Sequence, residues 1–380
     1  MATTLSWDGL RELAGFRAKK GCAISFYVNL DPSVSPTPAD AHTRVNSLLA
    51  GAAKADGASP EKLTHDQREA LKQDFERIDR YFQDDFVRDG ARGAVVFSAG
   101  LDDLWVSFGL PDSVSDAVKV GRQLYLAPIV PLVSRSAVDL VAVFTQEQGQ
   151  VYRLRAGRLE NLVDRFDEQP GQHDHRGSSQ ARHQRHVEHL VQQHLEDVAG
   201  ELDRELRRLR NPRLVVICQE EARPDVTAAL SSETQKAVVG WAEAAAHATP
   251  AQLLEVVEPV LEQASANEER DIIERWREQA GRDARGSSGW AETLAAASDA
   301  RVDVLLFQEG VNRPCWQCAE CGRLSAEAGA CPLDGSHMDK DEAGLDLAVH
   351  QTLAQGGTVL AVRHHQDLDP VEGIGALLRF

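Results

Sequence analysis

The sequence predicts a multidomain protein of mixed α/β and α+β class. Three observations carry this expectation. A chain of 380 residues exceeds what one apolar core usually serves. Short β-branched runs alternate along it with stretches in which apolar residues recur every three or four positions. Four of the six cysteines fall between Cys315 and Cys331, the pattern of a small insert rather than of a disulfide framework. The expected domains are an N-terminal α+β domain over 1–134, a middle domain over 135–266, and a C-terminal α/β domain over 267–380 carrying the cysteine insert at 315–337.

The N-terminal domain opens with Leu5, Leu10, Leu13 and Phe16 at helical spacing, and CAISFYVNL at 22–30 reads as a strand. After a Pro- and Ser-rich loop at 32–40, residues 41–54 (Val45, Leu48, Leu49, Ala52) and 65–83 (Leu71, Phe75, Ile78, Phe82) predict two helices. GAVVFSA at 93–99, LWVSFGL at 104–110 and the apolar run around Ile129 are the remaining strand candidates. In the middle domain DLVAVF (139–144) is a buried strand by length and content. QVYRLRAGRLENL then predicts two short strands about a turn at Gly157. Residues 163–180 carry no periodic apolar signal and are expected as a loop. A helix of some thirty residues follows from Ala181, with Val187, Leu190, Val191, Leu195, Val198, Leu202, Leu206 and Leu209 spaced by threes and fours, and it stops at Asn211-Pro212 before the strand RLVVICQ (213–219). Helical sequence at 250–282 leads to the third domain. There an Ala-rich helix after Gly289, the strand VDVLLF (302–307), a helix around Leu345–Leu353, TVLAV (358–362) and IGALLRF alternate as in a layered α/β unit.

Composition narrows the function classes. With 41 Lys and Arg against 59 Asp and Glu, the formal charge of −18 argues against coating nucleic acid with the whole surface. Only eight of those cations are Lys, so local phosphate contacts fall to guanidinium groups, which fork onto phosphate. No apolar stretch approaches the roughly 20 residues of a bilayer span. The N-terminus has no apolar signal core, so cytoplasm is the expected compartment and no membrane partner is expected.

One segment runs against the acidic trend. Across 176–213 there are eight Arg and six acids, and His173, His175, His183, His186 and His189 lie within seventeen residues. A Gly177-Ser178-Ser179-Gln180 tip without bulky side chains, flanked by Arg176, Arg182 and Arg185, suits entry into a narrow RNA cavity. A solvated surface loop, and a metal held by His183, His186 and His189, are the other readings of these residues. The stretch GSSQARHQRHVEHLVQQHL resembles the GGSQAR-type loop and helix of the bacterial archaeo-eukaryotic release factor superfamily. That superfamily is related to class-one release factors and Pelota, and the sequence is most similar to the ankyrin-and-zinc-finger-type peptidyl-tRNA hydrolases, with Balon-like hibernation factors as relatives. SFYVNLDP, RIDRYF with DGARGAVVFS, VDVLLFQEG before the cysteines, and GIGALLRF extend the resemblance along the whole chain.

The resemblance implies a three-domain factor that occupies the ribosomal A site, contacts 23S rRNA, and aims the 172–185 loop at the peptidyl transferase centre. It implies Gln180 as the catalytic residue, placing a water against the ester that joins peptide to tRNA. An amide suits that task because it can donate and accept. Arg176, Gly177, Ser178, Ser179, Arg182, His183, Arg185 and His186 would contact RNA, and a translational GTPase is a further implied partner. The family's second glycine is Ser178 here. That departure and the crowd of histidines motivate an alternative, a non-catalytic hibernation factor that blocks the A site. The N-terminal domain contains no NIKS or YxCxxxF motif, so codon-specific termination is disfavoured.

PCWQCAECGRLSAEAGACPLDGSHM places Cys318 and Cys321 in a CxxC knuckle ending at Gly322, with Cys331 nine residues further on. Thiolates at this spacing predict a structural zinc ribbon completed by Cys315, Asp334 or His337, and a degenerate, metal-free mini-domain is the other reading of the missing fourth thiol. The resemblance implies a second CxxC here, and Asp334 stands in its last position. A redox use of the CxxC is disfavoured because no thioredoxin-type helix starts at it. Cys22 and Cys218, on apolar runs, read as small core residues.

Overall fold

A computed structural model describes residues 5–54, 63–134, 139–145, 148–155, 157–166, 195–209, 212–245, 247–282 and 285–380. In the first segment α1 (Trp7–Ala14) is started by Ser6, whose Oγ accepts from the Gly9 N–H at 3.2 Å. Strand β1 (Ala23–Asn29) follows, then α2 (Pro38–Lys54) and α3 (His65–Arg80). Thr64 and Gln67 form a reciprocal capping box at the start of α3. Strands β2 (Gly93–Ala99), β3 (Leu104–Leu110) and β4 (Ala117–Gly121) complete an antiparallel sheet in the order β3-β2-β1-β4. Alternation along β1 buries both faces. Ile24, Phe26 and Val28 meet Val45, Leu49 and Ile78 on one side, while Ala23 and Tyr27 enter a second cluster on the other. Tyr27, Phe26 and Phe97 are fully buried, each contributing roughly 1.5–3 kcal/mol before entropy.

The run around Ile129 is not a strand. It forms a 3-10 turn at Ala127–Ile129 and a short helix α4 (Val130–Ser134). Pro128 and Pro131 lack the N–H that a ladder needs, so the fourth strand is AVKVG of β4 instead.

Residues 137–268 form one compact unit. Its sheet runs β7-β6-β5-β8-β9, from β5 (Asp139–Phe144), β6 (Gln148–Arg155), β7 (Arg158–Phe166), β8 (Arg213–Ile217) and β9 (Val238–Ala242). Strands β5, β8 and β9 are mutually parallel; β6 and β7 return antiparallel about Gly157, which sits at φ +72°. Strand β7 reaches Phe166, so residues 163–166, expected as loop, extend the hairpin by pairing with Gln148–Val151. Helix α5, described over 195–206, lays Leu195, Val198, Leu202 and Leu206 on one face of the sheet. Between β8 and β9 lie α6 (Arg223–Ala229) and α7 (Ser232–Ala237). Leu253, Val257 and Leu261 of α8 (Pro250–Ala280) cover the other face. Arg213 and Asp139 form a buried bidentate pair at 2.8 and 3.1 Å where β5 and β8 begin, and Ser265 accepts a further Arg213 N–H.

The last segment has β10 (Gly286–Ser288), α9 (Gly289–Ser298), β11 (Val302–Gln308), β12 (Cys315–Cys318), β13 (Leu324–Ser325), β14 (Met338–Asp341), α10 (Gly344–Ala354), β15 (Thr358–Val362) and β16 (Ile374–Leu378). The main sheet is β10-β16-β11-β15, while β13-β12-β14 is a separate small sheet inserted between β11 and α10. Residues 1–136 and 269–380 form one compact unit, whereas the sequence predicts separate domains over 1–134 and 267–380. Leu10, Leu13, Tyr27 and Phe97 share a continuous cluster with Leu294, Leu305, Leu347 and Val349. Asp346 binds the two halves by accepting the Leu126 and Ala127 N–H groups at 2.7 and 2.9 Å, and His350 Nε2 lies 2.6 Å from the Leu124 carbonyl. The mixed α/β and α+β class stands, built on four sheets among the described residues. Among the described residues no helix is long and apolar enough to cross a membrane.

Candidate metal centre

The loop residues singled out from sequence, Arg176, Gly177, Ser178, Ser179, Gln180, Arg182, His183, Arg185 and His186, lie outside the described residues. So does the expected start of the long helix at Ala181.

The described chemistry concentrates in the cysteine insert. Donor atoms of Cys318, Cys321, Cys331 and Asp334 all lie within 4.8 Å of one another. Cys321 Sγ is 3.5 Å from Cys331 Sγ, and Cys318 Sγ is 3.4 Å from Asp334 Oδ2. With zinc–sulfur bonds of about 2.3 Å, a tetrahedron has edges of about 3.8 Å, and slightly less where oxygen replaces sulfur. The set therefore fits one tetrahedral ion without rebuilding the chain.

Two backbone knuckles produce that convergence, and they are built alike. In CAECGR the Gly322 N–H donates to the Cys318 carbonyl at 3.0 Å, and the Cys318 N–H to the Arg323 carbonyl at 2.9 Å. In CPLDGS the Gly335 N–H donates to the Cys331 carbonyl at 2.8 Å, and the Cys331 N–H to the Ser336 carbonyl at 2.8 Å. Gly322 and Gly335 adopt φ of +75° and +73°, the left-handed turn for which glycine is selected. Asp334 thus occupies, in the second knuckle, the place Cys321 holds in the first. The signal was visible in the sequence as two Cys-x-x-(Cys/Asp)-Gly repeats, though spacing alone left Cys315, Asp334 and His337 equivalent.

Geometry separates those three. Cys315 is fully buried in the core shared by the first and last segments, outside the group of four, and burial, then Asp341, pushes its thiol up to about 12. His337 bridges Ala330 on the rim of the second knuckle and is also outside the group. Within the group, the Ser336 N–H at 2.9 Å holds the Asp334 carboxyl below the ordinary carboxylate range. At Cys331 burial disfavours the thiolate, but the Leu333 and Asp334 N–H groups and the neighbouring thiols lower its pKa overall. At Cys321 the Arg323 N–H favours the thiolate, yet desolvation and the neighbouring Cys318, Cys331 and Asp334 outweigh it and push the thiol up to about 12. Four close acidic groups cannot all ionise unaided, which is the electrostatic state a divalent cation relieves.

Arg323 is fixed by Asp299 at 2.6 Å, which raises its pKa, with a smaller contribution from the charges of Cys331 and Cys321. The Gln351 side chain donates to the Gly322 carbonyl at 2.6 Å, and the Leu324 N–H to Ser298 Oγ at 2.8 Å, so α10 and α9 hold the first knuckle. Four protein donors leave no open coordination position, the arrangement of a structural rather than a catalytic ion.

Comparisons with known proteins bear on the middle of the chain. Residues 125–265 match the family profile described as bacterial archaeo-eukaryotic release factor family 10. The resemblance to the release-factor-like superfamily therefore stands, carried by the segment that holds the β5–β9 sheet and the sequence Gly177-Ser178-Ser179-Gln180. Similar solved structures include the archaeal translation termination factor aRF1, at 16% identity over 99% of this chain and 98% of that one, with a TM-score of 0.28. Pelota of Archaeoglobus fulgidus is 14% identical over 78% and 81% of the two chains, with a TM-score of 0.33. Dom34 of S. cerevisiae, a translation termination-like factor involved in RNA quality control, is 10% identical over 99% and 93%, with a TM-score of 0.40. No curated protein matches the chain.

Proposed function

We propose that this protein is a ribosome-associated translation factor of the release-factor type that acts in the A site as a peptidyl-tRNA hydrolase or rescue factor. The carrying observation is the family match over 125–265, a segment that also contains Gly177-Ser178-Ser179-Gln180 between β7 and α5. In this reading the loop enters the peptidyl transferase centre, and Gln180 holds a water by donor and acceptor against the peptidyl ester. Arg176, Arg182 and Arg185 carry the phosphate contacts to 23S rRNA that an otherwise acidic chain needs. A translational GTPase is a candidate partner in delivery, and the cytoplasm is the compartment. Zinc is the ion of the Cys318, Cys321, Cys331 and Asp334 centre, with a structural role, since thiolate-rich tetrahedral sites select it.

The test is co-sedimentation with ribosomes together with release of peptide from stalled complexes. Wild type should do both, and Gln180→Ala should keep binding while losing release. Equal release by the variant would remove Gln180 from the mechanism. Ser178 in place of the family's glycine favours a second reading, a hibernation factor that occupies idle ribosomes without hydrolysis. It predicts binding to vacant ribosomes, no release by wild type, and gain of release in Ser178→Gly if the serine alone withholds the hydrolytic loop shape.

A further inference from the structure

We propose that the metal centre is oxidation-labile, and that Cys321 and Cys331 form the thiol pair a peroxide converts to a disulfide with loss of the ion. The inference rests on the metal reading above. Its first ground is position. Cys321 is exposed while Cys331 is buried, and their sulfurs lie in contact at 3.5 Å from opposite knuckles. Closing to a disulfide bond of about 2.05 Å requires about 1.5 Å of approach, within reach of side-chain rotation and a small knuckle shift.

The second ground is the donor count. Cys318 lies against Asp334 at 3.4 Å, so joining Cys321 to Cys331 leaves one thiolate and one carboxylate, too few to close a tetrahedral site. The third is the small core of the insert, where Cys318, Cys331 and Met338 form the buried cluster with Trp316 against it. Two of those three buried residues are ligands. Loss of the ion therefore removes both the cross-link and most of the local packing, and it frees the knuckle that Gln351 anchors to α10.

The chemistry balances with hydrogen peroxide as oxidant. The exposed Cys321 thiolate attacks one peroxide oxygen; a sulfur–oxygen bond forms, the oxygen–oxygen bond breaks, and hydroxide leaves with the electron pair. The Cys331 thiolate then attacks the Cys321 sulfur, forming the disulfide and expelling a second hydroxide. Two electrons pass from the sulfurs to the peroxide, and a dithiol reductant reverses the change.

The experiment uses the full chain loaded with zinc. Metal content is measured first, and a chain that purifies without metal and binds none when reconstituted overturns the metal reading itself. Peroxide is then added in the presence of a chromogenic chelator, with thiols counted and cross-linked peptides mapped by mass spectrometry. One ion should leave per chain as two thiols are lost, with Cys321 joined to Cys331, and dithiothreitol plus zinc should restore the starting state. Asp334→Cys also falls to two donors after the same cross-link, but both are soft thiolates rather than one thiolate and one carboxylate, so it should release its ion more slowly than wild type. Retention of the ion under peroxide, a Cys318–Cys321 cross-link, or release from Asp334→Cys at the wild-type rate would overturn the inference while leaving the metal reading intact.

Discussion

Asp334 shows how one side chain acquires meaning from the backbone beneath it. By residue type it is one of 59 acids, yet the turn that places it is the turn that places Cys321. Asp334→Ala should therefore lower zinc affinity by more than the roughly 10–100-fold typical of an outer-shell partner, read by competition with a chromogenic chelator. Cys315→Ser, outside the group, should leave affinity unchanged. Asp346 makes a different argument. Burial first, opposed by His350 and by the Ala127 and Leu126 N–H groups, raises its folded-state pKa above the ordinary carboxylate value. A raised folded pKa means that the native state holds the proton more tightly than the unfolded chain. Stability from this group is present below the unfolded pKa and declines as pH rises towards the folded one. Asn at 346 keeps the accepting oxygen without the charge. Asp346→Asn should match wild type in urea midpoint at the acid end and exceed it by a margin that grows with pH and then levels off above the folded pKa.

At the scale of elements, alternation and close approach did most of the work. Strands β2, β3 and β5 coincide with 93–99, 104–110 and 139–144 as expected, because β2 and β5 are apolar runs buried on both faces and β3 is a β-branched and aromatic run with one buried face. The apolar stretch at Ile129 predicts a strand but folds as a turn and a short helix, because Pro128 and Pro131 have no N–H for a ladder. Strand β4 was missed because AVKVG is short and half exposed. Close approaches were not legible at all. A Cβ on Gly149 of β6 would sit 2.1 Å from Val198 Cγ2 of α5, so this glycine sets how near the helix lies to the sheet. Gly149→Val should cost about 1–3 kcal/mol by overpacking, measured by urea unfolding, with Val198→Ala partly rescuing it.

For the whole molecule, the decisive fact is that 1–136 and 269–380 share a core while 137–268 has its own. Residues 1–134 expressed alone would leave Tyr27, Phe97 and Leu13 without Leu294, Leu347 and Val349. Such an apolar face drives association. That fragment should aggregate on purification and be recovered in soluble form when residues 269–380 are co-expressed, as read by size-exclusion chromatography. Sequence order hides this arrangement because a core is closed by contacts more than two hundred residues apart, such as Leu126 with Asp346.

The class of fold, the succession of strand and helix, the thiol-rich insert and the Gly-Ser-Ser-Gln stretch on which the functional reading turns are legible in the chain alone. These are local properties, fixed by periodicity, residue type and short spacing. That Asp334 rather than Cys315 joins the three thiols, and that residues 1–136 and 269–380 pack as one unit, follows only from the folded chain. Each of those depends on where the backbone turns and on what remote segment buries a side chain. Cys315 carries the same thiol as Cys318 three residues later, and its burial in the shared core is what separates their roles.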